Sequence, residues 1–143
     1  MPTEREDPND TVRLAPTPDA PAQARQFLEE FARDHGGVAG ACLEDARLAV
    51  SELVANAVQH TGTPVTVHLA VTGDGLEVSV GDEGPGVPRM RPAGRGGIGG
   101  IGLVLIDRVA QRWGVLFRQG GKVVWCLLRP RIQGPLDTRA SDL

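Results

Sequence analysis

The spacing of apolar residues changes period along this chain, and each change marks an element. Residues 1–10 are polar, acidic and rich in proline, with no periodicity, and are expected to form a disordered lead. Thr11 to Pro16 has the composition of a short strand, after which Pro16, Pro18 and Pro21 interrupt the chain. Phe27, Leu28 and Phe31 then mark a helix from about Ala22 to Asp34, stopped by His35, Gly36 and Gly37. Leu43, Ala46, Val50, Leu53 and Ala57 repeat at intervals of three and four, predicting a second helix from about Ala41 to His60, ended by Thr61 and Gly62. The period then drops to two. Val65, Val67, Leu69 and Val71 alternate with polar residues, Gly73, Asp74 and Gly75 supply a turn, and Leu76, Val78 and Val80 resume the alternation, which describes a hairpin.

Beyond Val80 the pattern is lost in a segment dominated by Gly, Pro and Arg, read as a long loop of the kind that usually carries function. A third helix is expected over about Gly102 to Gln111, followed by two strands around a turn at Gln119, Gly120 and Gly121. The residues after Pro130 form a polar tail. Helices flanking one mostly antiparallel sheet give an α+β two-layer sandwich, with residues 11–130 as its single domain and 131–143 as a flexible end.

Composition narrows the function classes. The chain has 143 residues, 41% hydrophobic and 23% charged, which suits one globular domain. No apolar run is long enough to span a bilayer, and residues 1–10 lack the basic start and apolar middle of a signal peptide, so no membrane association and a cytoplasmic location are expected. A net charge of −3 without any dense basic block argues against direct nucleic-acid binding, which rests on phosphate neutralisation. Cys42 and Cys126 have neither disulfide-framework nor zinc-site spacing and are read as buried small hydrophobes.

Three features carry chemistry. In SELVANAVQH, Glu52, Asn56 and His60 recur every four residues, a stripe about a quarter-turn from the centre of the apolar face. Polar groups at a core edge suit a cleft, although a plain polar flank with His60 as a C-terminal helix cation fits equally. Asp82-Glu83-Gly84-Pro85-Gly86 closes the hairpin's second strand, where a carboxylate followed by glycines lets backbone approach a flat ligand, or merely turns. Gly97, Gly99, Gly100 and Gly102 precede the third helix, and glycines there leave free amides and a positive dipole end for a phosphate, the plainer reading being a flexible loop. That run formally matches GxGxxG, but no strand precedes it and Lys122 stands where an acid would hold a ribose, so a dinucleotide fold is rejected. Lys122 is the sole lysine, which excludes a P-loop.

Taken in order, these motifs resemble the GHKL ATPases, the group of gyrase, histidine kinases and mismatch-repair ATPases. Over about Val12 to Leu128 the chain is most similar to the bacterial anti-sigma-factor serine/threonine kinases, with SELVANAVQHTG and RWGV as the strongest marks. The resemblance implies the Bergerat ATP-binding fold, with ATP and Mg2+ as cofactors. By position, Glu52 matches the general base, Asn56 the magnesium ligand, and His60 a neighbour of the phosphates. Asp82 matches the carboxylate that accepts from the adenine amine, Gly84 and Gly86 the glycines of the adenine pocket, and Gly100, Gly102 and Leu103 the GxGL element. A spacing of four then sets a hard cation's amide ligand one turn from a base that takes a hydroxyl proton.

The lid between Gly86 and Gly100 is short and holds Pro88 and Pro92; Arg89, Arg91 and Arg95 lie in it, with Arg95 a candidate phosphate contact and solvated arginines the plainer reading. Neither His35 nor His68 lies in a helix suited to a phosphoaccepting histidine, which disfavours a sensor kinase. The implied partners are a sigma factor and an anti-anti-sigma protein, with a homodimer through the first strand and helix, and Arg25 is a guess for a partner surface. The alternatives are a module that binds ATP or ADP and sequesters a regulator without phosphotransfer, and a domain that meets no nucleotide at all.

Overall fold

The computed structural model describes residues 10–73, 75–84 and 100–130, with backbone only at 100–102. The elements run β1 (Thr11–Leu14), α1 (Ala20–His35), α2 (Gly37–Ala41), α3 (Leu43–Thr61), β2 (Val65–Thr72), β3 (Gly75–Asp82), α4 (Gly100–Val109), β4 (Arg112–Arg118) and β5 (Gly121–Leu128). The strands form one sheet in the order β1-β2-β3-β5-β4, and every neighbouring pair is antiparallel. With helices packed over it, the sheet gives the expected α+β sandwich.

The helix bounds differ from the sequence reading in explicable ways. Helix α1 starts at Ala20, two residues before the expected Ala22, because Pro21 in the first turn needs no amide partner there and fits the helical φ. The expected second helix begins at Leu43 instead of Ala41, and a separate short helix, α2, fills Gly37–Ala41. Gly36 and Gly37, with φ of 53° and 48°, turn the chain between α1 and α2. Helix α3 carries Glu44 and Asp45 in its first turn and His60 in its last, the distribution its dipole favours. It ends at Gly62, whose left-handed φ of 66° and amide bond to the Val58 carbonyl close the last turn. Helix α4 begins at Gly100, earlier than the expected Gly102.

The hairpin folds in the expected register, Val67 opposite Val80 and Leu69 opposite Val78. Val65, Val67, Leu69, Leu76, Val78 and Val80 are buried on one face of the sheet, and each such side chain contributes about 1.5–3 kcal/mol by leaving water. Ala20, Ala24 and Ala32 of α1 and Ala46, Ala49 and Ala57 of α3 are also buried, so small side chains separate these two packed helices. Arg25, the sequence-based guess for a partner surface, donates to Ser51 Oγ at 2.9 Å and braces α1 against α3. At the other side of the sheet Trp113 Nε1 donates to Asp107 Oδ1 at 2.9 Å, tying β4 to α4. Cys42 and Cys126 are free and buried, as expected.

No helix among the described residues is long and apolar enough to cross a membrane. The lead at 1–9 and the tail at 131–143 lie outside the described residues.

Candidate functional site

Helix α3 packs beneath β3, so its polar stripe is held by a buried scaffold rather than by a loop. Leu53 and Ala57 are buried beside that stripe, while Glu52 and Asn56 are half-buried and His60 is exposed. The stripe therefore climbs from the core edge to solvent along the helix. Among the described residues the Glu52 carboxylate makes no hydrogen bond or ion pair, leaving its lone pairs available to a proton.

Asn56 is more telling. Its Nδ2 is buried without a hydrogen-bond partner among the described residues. An unpartnered buried amide atom costs about 1–3 kcal/mol, so Nδ2 keeps a donor to spare for a group beyond the described residues. The same amide offers an oxygen, the donor type a hard divalent cation prefers.

The other half of the site is fixed to α3 through hydroxyls. Thr61 Oγ1 donates to the Ala57 carbonyl at 2.9 Å and accepts from the Thr63 amide at 3.1 Å. The Thr63 hydroxyl in turn accepts from the Glu83 amide at 2.9 Å. This relay joins the end of α3 to the residue after β3. Gly84 lies against the same threonine: a Cβ there would sit 2.8 Å from Thr61 Cγ2, closer than carbon atoms tolerate. The absence of a side chain at Gly84 is thus required by the packing that brings Asp82 and α3 together.

Asp82 is nearly enclosed, with 3% of its side chain exposed. Its Oδ1 accepts from the backbone amides of Gly84 at 3.1 Å and Lys122 at 3.3 Å. Its Oδ2 accepts from Lys122 Nζ at 2.6 Å, and the lysine side chain is itself only 9% exposed. The sequence reading placed a recognition carboxylate at Asp82 but missed its lysine partner on β5. A sole lysine opening an otherwise apolar strand was the signal that could have found it.

Gly100 and Gly102 lie in the first turn of α4, which packs against α3, and Leu103 is partly buried against the core. Gly86, Arg95 and the rest of the segment between Pro85 and Gly99 lie outside the described residues. The structure thus brings together Glu52, Asn56 and His60 on one helix, with Asp82 and Gly84 anchored to that helix's end. Among the described residues no group of three or more His, Cys, Asp or Glu could hold a metal. Magnesium is commonly held by one or two carboxylates together with substrate phosphates; Asn56 offers a neutral oxygen, with the half-buried Glu52 carboxylate one turn away on the same helix.

The five-stranded antiparallel sheet with its packed helices defines an α+β sandwich domain. The chain belongs to the family of the histidine kinase-like ATPase domain, whose model matches residues 14–127. An uncharacterised protein of Streptomyces coelicolor is 39% identical over 93 residues, covering 62% of this chain and 87% of that protein. Among solved structures, the RsbU and RsbW domains of Rv1364c from Mycobacterium tuberculosis match with a TM-score of 0.62 and 22% identity over 87% of this chain. The chain spans 33% of that protein's length. The histidine kinase AdeS of Acinetobacter baumannii matches with a TM-score of 0.51 and 10% identity, over 85% of this chain and 68% of the kinase. At those identities the two structures share the fold with this chain.

Proposed function

We propose that this protein binds ATP with Mg2+ and transfers the terminal phosphoryl group to a serine or threonine of an anti-anti-sigma partner, while sequestering a sigma factor in the cytoplasm. The observation that carries this reading is Asn56, whose Nδ2 is buried without a partner among the described residues, one turn from a Glu52 carboxylate that makes no bond among them. Membership of a histidine kinase-like ATPase family supports the nucleotide, and the fold shared with the RsbU and RsbW domain protein supports the regulatory class.

In this reading Asn56 Oδ1 holds the cation, which when bound neutralises phosphate charge. Glu52 orients and deprotonates the incoming hydroxyl, and His60, exposed at the end of the stripe, lies beside the phosphates. Asp82 and Gly84 receive the base. The backbone amides around Gly100 and Gly102, in the first turn of α4, receive phosphate oxygens, with Leu103 seating that turn on the core. By the motif, Gly86 is assigned to the base and Arg95 to the phosphates. The unit that does this is residues 11–130, and β1, at the edge of the sheet, is the element through which two copies pair.

Calorimetric titration of ATP with Mg2+ tests the reading. Saturable binding by the wild type, weakened about tenfold or more in Asn56→Ala through a lost ion contact, is expected. No binding by a folded wild type would overturn it. Glu52→Gln should keep binding and lose transfer to a serine-bearing partner; if partner control persists unchanged, the protein captures its regulator without phosphotransfer.

A further inference from the structure

Lys122 and Asp82 form a buried couple whose remaining hydrogen-bonding capacity can be counted. A carboxylate offers about four lone-pair positions and an ammonium three donors. Among the described residues two amides use both positions on Oδ1, and Lys122 Nζ uses one on Oδ2, which leaves a single acceptor on Asp82. Among the described residues Asp82 is the only acceptor for the Lys122 ammonium, which leaves two donors. The couple therefore presents one acceptor beside an excess of donors.

Resting on the nucleotide reading above, we propose that Lys122 is a base-specificity-determining residue: Asp82 accepts from the exocyclic amine of adenine while the Lys122 ammonium donates to a ring nitrogen beside that amine. Adenine's amine is flanked by ring nitrogens that only accept, so one acceptor and one spare donor satisfy it. Guanine sets a keto oxygen beside a ring N–H and an amine, two neighbouring donors that meet one free acceptor and leave one unsatisfied. Turned the other way, guanine's keto oxygen and adjacent ring nitrogen use the two spare donors but leave the single acceptor empty, so only adenine fills acceptor and donor together.

The ammonium acts as a donor to the base, not as a plug the base must expel. With side chains 9% and 3% exposed, the pair would leave two uncompensated charges if separated. A ligand that entered by breaking it would lose much of its own binding free energy. One that uses the spare positions keeps the pair whole.

The test is calorimetry with ATP, GTP and two ATP analogues in which one or other ring nitrogen beside the amine is replaced by C–H. The wild type should bind ATP, bind GTP more weakly, and bind one of the analogues about tenfold or more weakly than ATP, the loss expected for a charge-assisted hydrogen bond. In Lys122→Met that analogue and ATP should bind alike, both weakly. Equal binding of ATP and both analogues by the wild type would overturn the donor role, a result that does not depend on the variant folding. Tighter ATP binding by Lys122→Met would overturn it in favour of a plug. Failure of the wild type to bind ATP at all would remove the nucleotide reading and this one together.

Discussion

Breaking the Asp82–Lys122 pair from one side should be far more costly than deleting it. At 2.6 Å the attraction between unit charges is about 6 kcal/mol at an effective dielectric of about 20, and desolvation of two enclosed ions costs several kcal/mol each. The pair as a whole is therefore near balance, whereas one stranded charge keeps its desolvation cost and loses its attraction. Asp82→Asn strands an ammonium with no other acceptor among the described residues, and should destabilise by about 3–5 kcal/mol. Lys122→Met strands a carboxylate that still accepts from two backbone amides, so its cost should fall at or below the low end of that range. The double variant should be more stable than the sum of the two losses by at least about 1.5 kcal/mol. Urea unfolding measures this, since a slope of about 1–3 kcal/mol per molar turns each loss into a midpoint shift on the order of 1 M. As a reference, Arg13 and Glu83 also pair, but with 62% and 46% of their side chains exposed, and Arg13→Met should cost under about 1 kcal/mol. Additivity of the Asp82 and Lys122 variants within about 0.5 kcal/mol would refute the reasoning, because it would mean that water already screens the pair.

Three further outcomes can be measured directly. Burial, followed by the charge of Glu77, pushes the Cys126 thiol up to about 12, so between its ordinary value and that one the unfolded chain releases a proton that the folded chain keeps. Stability should fall as pH rises above about 9, with a slope approaching about 1.4 kcal/mol per pH unit, and Cys126→Val should remove that part of the slope in alkaline urea titrations. Burial likewise raises the Cys42 thiol, so neither cysteine should react with a thiol reagent at neutral pH until the chain is unfolded. Gly121→Ala should destabilise by about 1–3 kcal/mol, because a Cβ there overlaps the Asp82 carbonyl oxygen, whereas Gly40→Ala meets open space in a helix and should be neutral or stabilising by under about 1 kcal/mol; paired thermal melts check both.

The elements most legible in the sequence were those whose pattern is local. Val65 through Val80 alternate around a glycine turn, and the hairpin formed in that register. The buried stripe of α3 was legible because Ala46, Val50, Leu53 and Ala57 repeat at helical spacing. Helix α2 was not, since Gly36 and Gly37 read as the stop of the preceding helix, whereas their positive φ values turn the chain into a new short helix. Placing Glu52 and Asn56 on one face needed only the helical period. The Asp82–Lys122 couple depends on β5 inserting between β3 and β4, a strand order that joins residues 40 apart and that no local pattern encodes. The bond from Arg25 to Ser51 was illegible for a similar reason, since the two lie on different helices.

The bond between Trp113 and Asp107 makes the molecule its own optical gauge. The chain has two tryptophans and no tyrosine, so its near-ultraviolet emission comes from those two indoles. One is bonded to α4, the helix whose first turn holds Gly100 and Gly102, and the other, Trp125, lies on β5 three residues beyond Lys122 and against Gly114 of β4. A tilt of α4 relative to the sheet stretches the first indole's hydrogen bond and shifts its colour, while the second reports on the strand that carries the lysine. Movement of α4 or of β5 can thus be followed by light, without attaching a label to a chain whose only thiols are buried.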